Sequence, residues 1–495
     1  VRPLLLSALV AFATTPLTHT LQNSPTPEKH LIETMPGGLA ILDYDNDGRP
    51  DIFFTNATQP SRLYRNLGNN QWQDVTTTSG IQHSGYTMGT AAADFDNDGR
   101  TDLLITGVNQ NLLYRNLGEG KFQQRPFPST GWSISAGFFD YDHDGDLDLF
   151  IVNYVDYNPA TEPFCGDSKA GYRTYCHPRH YKGLPNSLFR NDGKGRFTDV
   201  SVASGIAAHT GKGMGVAFAD YDRDGWLDVL VTNDAVPNFL FRNNHTGTFT
   251  ERGLSAGIGL NDDGRALSSM GTDFRDINND GSPDIFITAL ANETFPLFKA
   301  LPKGLFEDIT YPTRIGTSTL TYSGWSTGIY DFDNDGSKDI FTANGDVNDN
   351  TEVFSSRKSK QQNLILWNTG KNTFRPEPLG TPARHRGAAF ADLNNDGAID
   401  VVTSRLGESP TVWLNDRAKQ NHWLIIETSL GAEVQAGNQF NHATQAVGYA
   451  SSSMPEVHFG MGNATSIDKI EIRFPSGKTK TLTNQKTNQR IRVLE

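Results

Sequence analysis

The sequence predicts an all-β protein, a seven-bladed β-propeller followed by a small C-terminal β domain, and three observations predict it. An aspartate-rich pattern, DxDxDGxxD, recurs seven times along 495 residues. The same four short strand patterns return in the same order around each copy. The composition holds 48 Gly and 29 Phe beside only 6 Met, without long helical periodicity, as expected of strands bounded by Gly, Asn and Asp turns. Self-similarity at this period marks a stacked repeat architecture. Four strands per repeat, the second apolar because both its faces are covered, describe a propeller blade better than a solenoid coil.

Taken in chain order, Val1-Arg2-Pro3 and the apolar run Leu4 to Ala13 read as a short signal peptide inside a leader over 1–20, and 21–36 as a linker. The propeller is expected over 37–428. Each blade begins with a small-residue strand before its acidic turn (Gly37–Leu42, Gly213–Phe218) and continues with an apolar strand after it (Ile52–Phe54, Val229–Val231). A third strand follows in Leu63-Tyr64-Arg65-Asn66 or Leu240-Phe241-Arg242-Asn243, and a fourth in Trp72–Thr76 or Phe197–Ser201. A long gap between the third and fourth turns places an insertion at 153–187, which carries the two cysteines, Cys165 and Cys176. In an exported protein these are expected to form one local disulfide; zinc or copper held by them with His177 and His180 is the weaker alternative. The ring closes as seven blades, or as eight completed by the chain ends. Residues 429–495, with a Pro475-Ser476-Gly477 turn, read as a small module of alternating strands.

The acidic turns are the candidate metal sites. Carboxylates at positions 1, 3, 5 and 9 and a backbone carbonyl at position 7 offer the all-oxygen shell that Ca²⁺ takes, while Gly at position 6 allows the sharp turn. Loop one is Asp43, Asp45, Asp47, Arg49 and Asp51; loop two Asp94, Asp96, Asp98, Arg100 and Asp102; loop three Asp140, Asp142, Asp144, Asp146 and Asp148. Loop four is Asp220, Asp222, Asp224, Trp226 and Asp228; loop five Asp276, Asn278, Asp280, Ser282 and Asp284. Loop six is Asp331, Asp333, Asp335, Ser337 and Asp339; loop seven Asp392, Asn394, Asp396, Ala398 and Asp400. Asn278 and Asn394 replace a carboxylate, so weaker binding is expected there. Up to seven structural Ca²⁺ ions would offset a formal charge of −13. A turn this acidic is unlike an EF-hand at its end, where Phe54, Ile105 or Ile151 stands in place of Glu and a strand replaces the helix.

These repeats resemble the FG-GAP or VCBS type of integrin α-subunit propellers and secreted bacterial proteins, over about 37–428. The segments Gly431–Val434, Val457–Gly462 and Ile470–Lys478 resemble an ASPIC/UnbV domain, although the stretch around Tyr449-Ala450-Ser451 departs from that pattern. Together they give the layout of the cartilage acidic protein family. The resemblance implies an extracellular calcium-binding protein with adhesive or matrix roles and no established reaction.

The acidic balance and the lack of a basic tract argue against nucleic acid, and no stretch in the mature chain is long and apolar enough to span a bilayer. The expectation is a secreted or periplasmic monomer that binds an extracellular protein or glycan. The alternative is a propeller-scaffold lyase or hydrolase acting on polysaccharide, which requires convergent acid, base and cation groups. His83, His209, Arg265 and His385 are the residues whose convergence would favour it. Gly324-Trp325-Ser326-Thr327-Gly328 matches GxSxG, but in a strand rather than a strand-to-helix turn, so Ser326 is expected to be inert. Trp132 and Trp325 are expected in blade cores or lining the ring.

Overall fold

In the computed structural model, which describes residues 12–83, 85–371 and 373–495, the chain forms seven four-stranded antiparallel sheets and a C-terminal β module. The innermost strands of the seven sheets are Leu39–Leu42, Thr87–Ala93, Ser133–Phe139, Gly213–Ala219, Thr272–Arg275, Gly324–Tyr330 and His385–Ala391. Each packs against the next, and the seventh returns to the first, so the sheets close into a ring. Between neighbouring blades lies a separate apolar cluster. The one that closes the ring joins Ala389, Val402 and Val412 of blade seven to Leu39, Ile52 and Phe54 of blade one. The second strands, such as Asp102–Gly107 or Asp148–Asn153, are buried because they are covered on both faces; only Arg405, at the end of the one in blade seven, is half-buried.

Asparagine at the end of the third strand ties blade to blade. The Asn116 amide donates to Thr101 O in its own turn at 3.0 Å and to Tyr44 O of blade one at 2.8 Å. Asn191, Asn243 and Asn415 repeat the bond to the preceding blade, and Asn66 makes it across the closure, to Leu393 O at 2.9 Å.

The termini differ from the sequence expectation. Phe12–Pro16, assigned above to a leader, is the outermost strand of blade seven and pairs antiparallel with Thr411–Asn415. Phe12 is buried in that blade beside Trp413, so the segment from Phe12 onward belongs to the propeller; the rest of the apolar run lies outside the described residues. Residues 21–36 are not a free linker either: Leu31 and Met35 are buried in an axial cluster with Trp132, Tyr154, Trp325 and Tyr449. At the other boundary, His422–Glu427 pairs with Val457–Gly462 and Gln489–Arg492 of the C-terminal module, so the propeller ends with Asn415.

The C-terminal module sends a loop into the propeller axis. Gly448 exchanges backbone bonds with Thr272 of blade five, Ser452 with Leu39 and Ile41 of blade one, and Ala450 O accepts from Thr90 of blade two. Tyr449 N donates to Ser326 Oγ of blade six, Ala450 N to Ser135 Oγ of blade three, and Ser453 Oγ accepts from Phe390 N of blade seven. The small residues of the inner strands follow from this crowding. A Cβ on Gly38 would lie 2.2 Å from Ala450 O, and one on Gly89 would lie 2.1 Å from Ile134 O of the next blade. The stretch that departs from the family pattern is thus the axial plug.

At the opposite end from the acidic turns, the insertion between Asn153 and Ser187 lies over the axis. Cys165 and Cys176 are disulfide-bonded, which removes them as metal ligands. Tyr175 Oη donates to the buried Glu33 at 3.1 Å, and the Asn350 amide donates to Gly171 O and Arg173 O. Among the described residues no helix is long and apolar enough to cross a membrane.

Candidate metal centre

Each acidic turn links the first and second strands of a blade, and its own backbone N–H groups organise its carboxylates. In loop one, Asp43 accepts from Asp47 N at 3.0 Å and Gly48 N at 2.9 Å, and Asp47 Oδ1 accepts from Arg49 N at 3.0 Å. The turn works because Asn46 (φ 56°) and Gly48 (φ 79°) adopt left-handed backbone, which Asn tolerates and Gly prefers. The ninth residue opens the second strand and is fully buried. Asp51 Oδ1 accepts from Asn66 N at 2.7 Å and Oδ2 from Tyr44 N at 3.2 Å, leaving each oxygen one further lone pair. Asp102, Asp148, Asp228, Asp284, Asp339 and Asp400 are held the same way.

In five loops the carboxylates at positions 1, 3 and 9 converge with one ligand atom each, all within 4.8 Å of one another. They are Asp43/Asp45/Asp51, Asp94/Asp96/Asp102, Asp140/Asp142/Asp148, Asp220/Asp222/Asp228 and Asp331/Asp333/Asp339. These groups of buried aspartates could hold a metal ion. The expected fifth-position ligands stand outside these triads. Asp47 and Asp98 are turned to Arg65 and Arg115 of the third strand, which also reach the outer oxygen of Asp45 and Asp96. Arg242 does the same with Asp222 at 2.5 Å and Asp224 at 2.6 Å. Asp144 and Asp335 accept from the N–H at position 7, as do Asp224, Asp280 and Asp396; Asp146, Trp226, Ser282, Ser337 and Ala398 are the donors. Loops five and seven bring together only two carboxylates at positions 1, 3 and 9, because Asn278 and Asn394 hold the third.

The donor chemistry fits a hard cation. The inner oxygens Asp45 Oδ1, Asp96 Oδ1, Asp142 Oδ1 and Asp222 Oδ1, together with Asp140 Oδ1, are buried without a hydrogen-bond partner. An anionic oxygen left so is costly unless a cation meets it. Burial, with the neighbouring carboxylates adding to it, pushes Asp51 and Asp102 up to about 8 and Asp148 to about 9. Asp331 rises to about 8 for the same reason. Burial thus disfavours the charged form of these carboxylates, a cost that a bound cation would offset.

The sequence reading missed position 4. The Asn46 amide donates to Gly99 O of loop two at 3.0 Å, Asn279 to Gly336 O of loop six at 3.1 Å, and Asn334 to Gly397 O of loop seven at 3.1 Å. Neighbouring turns are thereby linked around the rim. The signal was available, since Asn recurs at this offset in loops one, two, five, six and seven.

The other candidates separate. His83 bonds Ser61 beside blade one, His209 lies edge-on to Phe239 and Phe241 of blade four, Arg265 sits on an exposed connection, and His385 is buried in blade seven. Ser326 is buried, donating to Ala388 O and accepting from Tyr449 N. His177 Nδ1 accepts from Arg179 N at 3.1 Å. Trp132 and Trp325 are buried in the axial cluster.

Two family models match the repeats and the C-terminal module. The FG-GAP-like repeat model matches residues 43–105, 94–151, 179–231, 220–287, 276–342 and 331–403, and the ASPIC and UnbV model matches 421–495. Cartilage acidic protein 1 of Mus musculus is 23% identical over 92% of this chain and 73% of its own length. The Homo sapiens protein is 24% identical over 89% of this chain and 69% of its own. Among solved structures, BBS1N in complex with ARL6DN aligns with 83% of this chain and 98% of its own at a TM-score of 0.47 and 8% identity. An Agrocybe aegerita protein described as recognising non-reducing terminal N-acetylglucosamine aligns with 76% of this chain and 87% of its own, at a TM-score of 0.40 and 17% identity. Seven acidic turns on a closed ring, capped by one C-terminal module, are therefore the three-dimensional form of a chain that belongs to the FG-GAP-like repeat family, carries an ASPIC and UnbV domain and is homologous to cartilage acidic protein 1.

Proposed function

We propose that this protein is an exported calcium-binding propeller that acts as a monomeric extracellular binding protein for a protein or glycan ligand, with calcium in a structural role. The observation that carries the calcium reading is the set of buried, unpartnered position-3 oxygens, each within a carboxylate triad built only from oxygen donors. Ca²⁺ accepts such a flexible all-oxygen shell, whereas Mg²⁺ demands stricter octahedral geometry and softer metals prefer His or Cys. The residues that would hold it are the aspartates at positions 1, 3 and 9, and the ion would neutralise their charge and draw the turn together.

The disulfide and the kinship with cartilage acidic protein support export. A rigid ring with long connections on one end and acidic turns on the other supports binding, since ligands are taken up by loops on a rigid scaffold. Nothing groups His83, His209, Arg265 and His385 around one reacting centre, so the polysaccharide-cleaving alternative has less support. The test is a glycan array and a pull-down from extracellular matrix extract, each with calcium and with EDTA. Saturable binding that is lost on chelation is expected; turnover of a polysaccharide, or no saturable ligand, would reject the binding role.

A further inference from the structure

The two loops that lack a third carboxylate at positions 1, 3 and 9 each meet a basic side chain, and neither has a buried carboxylate oxygen without a hydrogen-bond partner; loop six, which keeps its triad, has none either. In loop seven, Arg490 reaches across from the C-terminal module. Its Nη2 lies 3.3 Å from Asp392 Oδ2 at position 1 and 3.2 Å from Asn395 Oδ1 at position 4. Asp392 Oδ2 already accepts from Gly397 N at 2.9 Å, so the guanidinium occupies its remaining capacity. Glu427 and Glu456 hold the other end of Arg490 in place.

In loop five the cation comes from the neighbouring blade. Lys338, at position 8 of loop six, is buried at 3% exposure, and its Nζ donates to Asn279 Oδ1 at 2.7 Å. The asparagines at position 3 also bond within their own turns. Asn278 Oδ1 accepts from Asp280 N at 2.8 Å, and Asn394 Oδ1 accepts from Asp396 N at 3.1 Å while its amide donates to Asp396 Oδ2.

Loops one, two and four also meet arginines, but differently. Arg65, Arg115 and Arg242 approach the outer oxygen of position 3 and leave the inner one unpartnered. Loop four additionally meets Arg473 at Asp220 Oδ2, yet keeps its full triad and the unpartnered Asp222 Oδ1. Loop six keeps its triad as well.

From these placements we propose that loops five and seven are closed by the protein's own cations, Lys338 and Arg490, and hold no calcium, so that the chain binds five ions rather than seven. The proposal rests on the calcium reading above and deepens it: loop seven couples the C-terminal module to the propeller by an ion pair where the uncovered loops use metal.

The experiment counts bound calcium on the full chain by equilibrium dialysis and atomic absorption. The wild type is expected to bind five equivalents. Arg490→Gln and Lys338→Met are each expected to bind six, Arg490→Lys to stay at five, and Asp392→Asn added to Arg490→Gln to return the count to five. A wild-type count of six or more, or variants that bind no more than the wild type, overturns the proposal. A wild-type chain that binds no calcium overturns instead the calcium reading on which it rests. Should Arg490→Gln fail to fold, the wild-type count and Lys338→Met carry the test.

Discussion

Loops one to three and loops four to seven share one sequence pattern but face different surroundings. A Cβ built on Gly48, Gly99 or Gly145 would meet nothing within 4 Å. On Gly225 it would lie 3.2 Å from Arg473, on Gly281 3.5 Å from Phe440, on Gly336 3.7 Å from Gln439, and on Gly397 in the ring of Trp423. The first three turns form an open acidic rim, and the last four are the floor on which the C-terminal module sits. The same turn serves both purposes because its backbone geometry is set internally, by its own N–H groups and glycine, and leaves its outer surface free to face water or protein.

The largest expected effect concerns all the loops proposed to hold metal. At free calcium a hundredfold above a site's Kd, each filled loop adds about 2.7 kcal/mol to stability, so EDTA is expected to lower the melting midpoint by well over ten degrees. An unchanged midpoint breaks the comparison by making metal irrelevant to the open rim. The chelated protein has its own pH dependence. Asp51, Asp102 and Asp148 have folded-state values of about 8 to 9, raised by burial above the unfolded value. Their contribution is therefore present in full below pH ~4 and lost as pH rises through 8 to 9. Chelated protein should melt lower at pH 8 than at pH 5, and calcium, which binds the deprotonated form, should reverse that order.

Next in size is a glycine pair that separates the covered half from the open one. Gly460→Ala places a Cβ 1.9 Å from Asp331 Oδ2 and 2.5 Å from Asn334 Cα, against the floor of loop six. Overpacking of this kind is expected to cost about 3 kcal/mol in denaturant titration. Gly48→Ala, in open space at φ 79°, pays only the backbone strain of about 1–2 kcal/mol. Equal losses would mean that the module does not bear on the loops. Tyr449→Phe removes the bond from Tyr449 Oη to Met35 O, 2.8 Å long and buried at the axis, and should cost about 1–2 kcal/mol. The smallest change belongs to the open rim: Arg65→Gln breaks a partly exposed pair with Asp45 and should cost no more than about 1 kcal/mol.

Much of this architecture was legible in the sequence because it is local and repeated. The alternation of strands, the nine-residue turns and their glycines return seven times, and each copy obeys the same short-range rules. Position 4 was legible too, as a recurring Asn, but its purpose depends on the next blade and cannot be read within one repeat. The leader was misplaced for a related reason. Phe12 and Ala13 end the apolar run that reads as an export signal, but Thr411–Asn415, the strand that Phe12–Pro16 pairs with, lies near the other end of the propeller.

The sequence by itself determined the repeat, the oxygen-rich turns and the presence of a separate C-terminal module, since these follow from residue types at fixed spacing. Only the tertiary structure decided how the ring closes, what fills its axis and which turns are covered. Those outcomes depend on residues far apart in the chain, such as Tyr449 against Met35 and Arg490 against Asp392, and no local pattern encodes which distant surface a side chain will meet.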